Sequence, residues 1–285
     1  MSKGLVKAVV GAVLALALAM TALLFNGYRS GRSVEFTAGA ESADAPVQVL
    51  LLIREVDPVK GELRMRVFVT PGEGEDAFTT AYVVETSSEV AKEPLAVGAG
   101  KASASTDVVV SFDDGEELMY PFDRYRASVD VVAREAAVGS EADGSADAGA
   151  PVPVALTVES ANAGFRFDVT DESEDDGSFG AVRVDVRRSA VPVAMAIVMS
   201  IVMLCLAGIV SAVSHLIVTG RRRFEFASLT WMAAMLFAFV GFRNAAPGSP
   251  TMGSLFDFLG FFWAELAVAV SLIRVGMFYV RKHSG

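Results

Sequence analysis

Four apolar runs constrain this 285-residue chain more than anything else in it. They occupy residues 5–25, 189–219, 226–242 and 254–280. A helix of about 20 apolar residues crosses the roughly 30 Å hydrocarbon core of a bilayer. Each run therefore reads as a transmembrane helix, one N-terminal and three C-terminal. The section between the first and second runs has the opposite character. Residues 26–189 hold 31 Asp/Glu against 15 Lys/Arg, a net −16. The rest of the chain holds 3 against 9, a net +6, and together they give the −10 of the whole. An acidic part that water can solvate has been joined to an apolar part that it cannot.

Basic residues orient the runs. Lys3 and Lys7 flank the first, Arg221, Arg222 and Arg223 follow the second, and Arg281, Lys282 and His283 follow the fourth. Short loops rich in Lys and Arg stay in the cytoplasm. The expectation is a multi-pass cell (plasma) membrane protein with both termini cytoplasmic and residues 26–188 extracytoplasmic. Ala15, Ala17 and Ala19 could mimic a signal-peptide cleavage site. Continuation of the run through Leu23, Leu24 and Phe25 favours an uncleaved anchor over residues 1–25.

Residues 26–46 read as an exposed tether rich in Gly, Ser and Ala. Strand signals follow. Val49-Leu50-Leu51-Leu52-Ile53 suits a strand covered on both faces, and 63–69 alternates apolar residues with Arg64, Arg66 and Phe68. Asp57-Pro58-Val59-Lys60-Gly61 joins them as a hairpin turn. Further strands are expected at 78–86, 106–112, 124–133, 152–159, 165–170 and 181–186. Eight short strands at this spacing predict an antiparallel β-sandwich, and the whole chain an α+β membrane protein. Residues 136–150 read as a flexible loop inside the sandwich, because 139–149 has no large apolar residue. Residues 189–285 form a three-helix region with an outer hairpin at 244–253.

Chemistry is limited by what the acidic section lacks. Residues 26–189 contain no His and no Cys, so a Ser-His-Asp triad, a thiol nucleophile and a His/Cys zinc site are impossible within it. Cys205 lies in the second apolar run, so the exported part has no disulfide. The acidic loop 171–177 lacks the alternating ligand spacing of a calcium site and reads as a solvated hairpin tip. The acidic balance argues against nucleic acid as a partner. No enzyme, cofactor or metal is expected. The partners to expect are the lipid bilayer and either an envelope protein or a second copy of the chain.

Two groups of residues are singled out. Tyr120-Pro121-Phe122-Asp123-Arg124-Tyr125 precedes a strand. It reads as a core-closing turn, with a contact to the outer hairpin as the alternative. Arg243, Asn244, Asp257, Glu265 and Arg274 are polar residues in or beside the apolar runs. Arg243 and Asp257 flank the hairpin at similar depth, which suggests an ion pair. Glu265 lies eight residues on, about 12 Å deeper at 1.5 Å per residue. At that depth it is expected to face the bundle interior, carry a proton or pair with a cation. Arg274 lies near the inner leaflet, where its head can snorkel.

Tyr120 to Tyr125, the segment Arg243-Asn-Ala-Ala-Pro-Gly-Ser-Pro250, Gly253, Asp257 and Phe261-Phe-Trp-Ala-Glu265 together resemble a family of uncharacterised bacterial membrane proteins, a domain of unknown function. Its members pair one N-terminal helix, an extracytoplasmic β domain and three C-terminal helices. The resemblance implies that architecture and no activity. The function expected is a non-enzymatic binding or scaffold protein whose outer β domain docks on the membrane bundle. The alternative is an ion- or proton-conducting component that uses Glu265 and Arg243.

Overall fold

A computed structural model describes residues 18, 21–22, 34–41, 45–87, 94–136, 148–160, 162–173 and 178–283. The expected N-terminal span lies outside these, save Leu18, Thr21 and Ala22. The chain divides into a β unit and a helical unit. Residues 117–123 belong to the helical unit although strands flank them on both sides.

The β unit contains β1 (Val34–Gly39), β2 (Val47–Asp57), β3 (Glu62–Pro71), β4 (Tyr82–Thr86), β5 (Leu95–Val97), β6 (Ala104–Ser111) and β7 (Asp114–Gly115). After the turn come β8 (Arg124–Ala136), β9 (Ala148–Val152), β10 (Val154–Ser160), β11 (Phe165–Asp171) and β12 (Gly180–Arg188). One sheet has the order β1-β10-β2-β3-β6. The other has β11-β12-β8-β4-β5, with β7 and β9 also paired to β8. The inward residues of both sheets share one sandwich-like core, including Val49, Leu51, Met65 and Val67 from the first and Val129, Val131 and Val184 from the second. Every paired set is antiparallel except β2 with β10, which run parallel. The expected all-antiparallel sandwich is corrected at that pair. Parallel neighbours need a long crossover, and here the chain between them supplies most of the unit.

Three local readings also change. The tether at 26–46 contains β1, because the alternating Val34, Phe36 and Ala38 pair along β10. In β2 Val47, Val49, Leu51, Ile53 and, past a bulge, Val56 are buried, while Leu50 and Leu52 are half-exposed, so one face meets the core and the other is partly covered. The loop at 136–150 is bounded by strand at both ends, since Ala136 closes β8 and Ala148 opens β9. Residues 137–147, like 174–177 of the acidic tip, lie outside the described residues. The β2–β3 turn forms as expected, with Lys60 N–H donating to Asp57 Oδ1 at 3.1 Å and Gly61 at φ +71°.

Charges cover the outer faces of the sandwich. Arg66 grips Asp107 at 2.7 and 2.8 Å, and this hydrogen-bonded pairing holds the Asp107 carboxyl below its usual range. Both groups are exposed, so the pair adds little stability. Asp130 is pushed the other way, chiefly by partial burial and then by the carboxylates of Asp113 and Glu172. An acid whose folded pKa is raised opposes folding once ionised, and the penalty fades as pH falls through that folded value. Asp130→Asn is therefore expected to stabilise the protein near neutral pH by less than about 1 kcal/mol, after solvent screening. Thermal unfolding at neutral and acid pH checks this, and the gain should vanish in acid.

The helical unit contains α1 (Ala190–Val218), α2 (Phe226–Asn244) and α3 (Phe262–His283), with a π turn at Asp257–Phe261 leading into α3. All three helices are long and apolar enough to cross a membrane. Their buried seams repeat at threes and fours: Ala196, Met203, Ala207, Val210, Ser214 and Ile217 on α1, and Ala264, Val268, Ser271 and Val275 on α3. Small residues in these seams let α1 and α3 pack closely. A Cβ on Gly260 would lie 2.8 Å from Ser200 Cβ, so glycine is required where the π turn passes α1. Two serines add polar ties: Ser214 Oγ donates to Ser271 O at 3.0 Å, and the Ser271 and Ser211 hydroxyls lie 3.2 Å apart. The outward faces stay apolar. Phe237 is 80% exposed, and Ile209, Leu266 and Ile273 are more than half exposed.

Candidate functional site

The site is built where α2 ends and α3 begins. Arg243 occupies the last turn of α2, and Asp257 opens the π turn fourteen residues later. The segment between them reverses direction with Gly248 at φ +77°, Ser249 at +43° and Gly253 at +87°. The reversal brings the two charges together. Arg243 Nε donates to Asp257 Oδ1 at 3.0 Å and Nη2 donates to Oδ2 at 3.0 Å, the two-pronged geometry that suits a guanidinium and a carboxylate.

Two backbone groups complete the pair. Arg243 Nη2 also donates to Pro250 O at 2.9 Å, and Gly253 N–H donates to Asp257 Oδ2 at 2.7 Å. The positive φ of Gly253 is what this chain-reversing loop between two helices requires. Asp257 also sits at the positive end of a helix dipole, where an anion is favoured. The side chain of Asp257 is fully buried and that of Arg243 is 10% exposed. A buried pair of this kind contributes little beyond well-packed apolar residues, but breaking it is costly. Its chemical role is therefore to lock the hairpin. A carboxylate with no exposed surface offers no approach to a substrate.

The turn at Glu117–Asp123 is the second part. Tyr120 is 1% exposed, and its ring meets Phe256 edge-on at 5.9 Å. Its hydroxyl donates to Pro247 O at 2.9 Å, and its carbonyl accepts from Phe256 N–H at 3.1 Å. Thr251 Oγ1 lies 3.5 Å from Glu117 Oε2. Pro121 and Asp123 are buried as well, and the Tyr120–Pro121 peptide is cis. The core-closing reading is corrected here. Tyr120 packs in the helical cluster, Phe122 is 51% exposed, and only Tyr125 joins the β core, stacked on Phe112 at 4.8 Å.

The other singled-out residues are not gathered into this site. Asn244 and Arg274 are exposed. Glu265 is half-buried on α3 and has no hydrogen bond or ion pair among the described residues. It does not meet Arg243, whose guanidinium is taken by Asp257. The sequence reading missed Pro250 O and Gly253 N–H as partners, and Ser254, whose buried Oγ lacks a partner among the described residues. A signal was present: Ser254 and Asp257 have the Ser-x-x-acid spacing that starts a helix.

A family model for a domain of unknown function, DUF4436, matches residues 36–187, more than half of the chain. The chain belongs to the DUF4436 family. A second model, the domain of unknown function DUF8686, matches residues 188–282. The resemblance read from the sequence as one family thus resolves into two adjoining models. The DUF4436 match runs from within β1 to within β12 and includes the turn at 117–123, and the DUF8686 match runs from just before α1 to within the last turn of α3. Neither description carries an activity. No curated protein matches the chain.

Proposed function

We propose that this DUF4436 protein is a non-enzymatic binding or scaffold component of a bacterial cell envelope. Its three C-terminal helices, and an N-terminal one, cross the plasma membrane, and its acidic β domain lies outside. The β domain docks on the membrane bundle through the turn at 117–123, leaving its charged faces for an envelope protein or a second copy. The observation that carries this reading is the hold of the hairpin on Tyr120, by two hydrogen bonds and an edge-on ring contact. That segment is encoded inside the β domain, yet its partners lie between two apolar helices. The many exposed large apolar side chains on α1, α2 and α3 support the membrane location, since water-soluble proteins rarely expose large apolar patches.

One observation favours a second reading. Glu265 is an ionisable group on an apolar helix without a described partner, the usual mark of a proton or ion path. Liposome flux separates the two. Under the scaffold reading, purified protein gives no proton or cation flux above empty liposomes, and Glu265→Gln changes nothing. Crosslinking in native membranes then recovers an envelope protein or a dimer. A flux abolished by Glu265→Gln would overturn the scaffold reading.

A further inference from the structure

The turn at Glu117–Asp123 sorts its side chains in an unusual way. Its polar groups are occupied or covered: Glu117 lies beside Thr251, and Asp123 is 1% exposed. Three of its large apolar side chains are displayed instead, with Leu118 53%, Met119 43% and Phe122 51% exposed. Three large apolar side chains in so short a segment cost free energy in water. The turn cannot withdraw them. Tyr120 is bonded to Phe256, one residue before Asp257, and to Pro247, three residues past the end of α2. These bonds fix the turn at the level where two apolar helices begin and end. From that level inward the π turn exposes Phe258, and the start of α3 exposes Phe262 and Trp263, about 8 and 9 Å past Asp257 at 1.5 Å per residue. Aromatic residues in such a girdle mark the boundary between hydrocarbon and water.

We propose that this turn is a membrane-interface anchor, inserting Leu118, Met119 and Phe122 into the headgroup–acyl boundary of the outer leaflet. The inference rests on reading α1, α2 and α3 as membrane spans. Insertion here is apolar, because the turn presents no Lys or Arg to attract anionic headgroups. Zwitterionic lipid therefore suffices, and added salt leaves the contact intact.

The test uses the full chain in phosphatidylcholine vesicles whose acyl chains are brominated near the interface. Trp231 and Trp263 are the two native tryptophans. In a Trp231→Phe, Trp263→Phe background, Phe122→Trp places one fluorophore on an exposed position that no core packing depends on. Brominated lipid should remove much of its emission, because interfacial tryptophan sits at the headgroup level, while aqueous iodide quenches little. Leu118→Trp in the same background should behave alike. Trp231→Phe alone leaves Trp263 to report on α3. If Trp263 is quenched by bromine but Phe122→Trp and Leu118→Trp answer only to iodide, the anchor is wrong and the spans stand. If the two turn reporters are shielded from both quenchers, a protein covers the turn and the anchor is again wrong. If bromine reaches neither α3 nor the turn, the membrane reading itself fails.

Discussion

Arg243→Met should destabilise the helical unit by about 3–5 kcal/mol, the usual cost of leaving one partner of a buried ion pair behind. The abandoned carboxylate of Asp257 is fully buried and would keep only the N–H of Gly253 as a donor. The loss should be read as a lower unfolding midpoint in detergent or bicelles. Arg243→Met with Asp257→Leu should recover most of it, because two apolar residues of similar size leave no charge unpaired. If the single substitution matched the parent, the pair would not be locking the hairpin. If the double were no better than the single, packing rather than charge would be the cause.

Tyr120→Ala should cost about 3–5 kcal/mol, as large-to-small changes at fully buried aromatics do. It removes a side chain 1% exposed, an edge contact to Phe256 and the bond to Pro247 O. Tyr120→Phe keeps the ring, removes the hydroxyl's bond to Pro247 O, and should cost about 1 kcal/mol. Thermal unfolding of the two variants separates packing from hydrogen bonding. Limited proteolysis adds a local readout, since release of the turn frees the backbone beside the exposed Arg124 for trypsin in the alanine variant alone. Equal stability of Tyr120→Ala and the parent would mean that the turn is not clamped to the hairpin.

Much of the architecture was legible in the sequence. Length and apolarity marked α1, α2 and α3, a continuous apolar run marked β2, period-two alternation marked β3, and short runs between turn clusters marked the strands that became β6, β8, β10, β11 and β12. The 78–86 segment narrowed to β4, because Phe78 enters the core from a loop. Strands β5 and β7 escaped notice because they are three and two residues long, and β1 and β9 because they are rich in small or polar residues. Their pairing is decided by neighbours already in place, which local pattern does not encode. The parallel match of β10 to β2 was hidden for the same reason.

The ion pair of Arg243 and Asp257 was readable because two charges flanking one tight hairpin have few other partners. Its backbone partners, Pro250 O and Gly253 N–H, were not, since they depend on dihedral angles within the reversal. Tyr120 shows the limit of local reading most plainly. An aromatic beside proline before a strand suits a core-closing turn equally well, and its real partners, Pro247 and Phe256, lie more than 120 residues away.

The reading stands on the side of the membrane that each part occupies. In a Cys205→Ser background, Val59→Cys sits in the exposed β2–β3 turn and Arg222→Cys in the basic loop after α1. A membrane-impermeant maleimide added to intact cells should label Val59→Cys at once and Arg222→Cys only after lysis. Labelling of Arg222→Cys in intact cells, with Val59→Cys protected until lysis, would put the acidic β domain on the wrong side and undo the proposal.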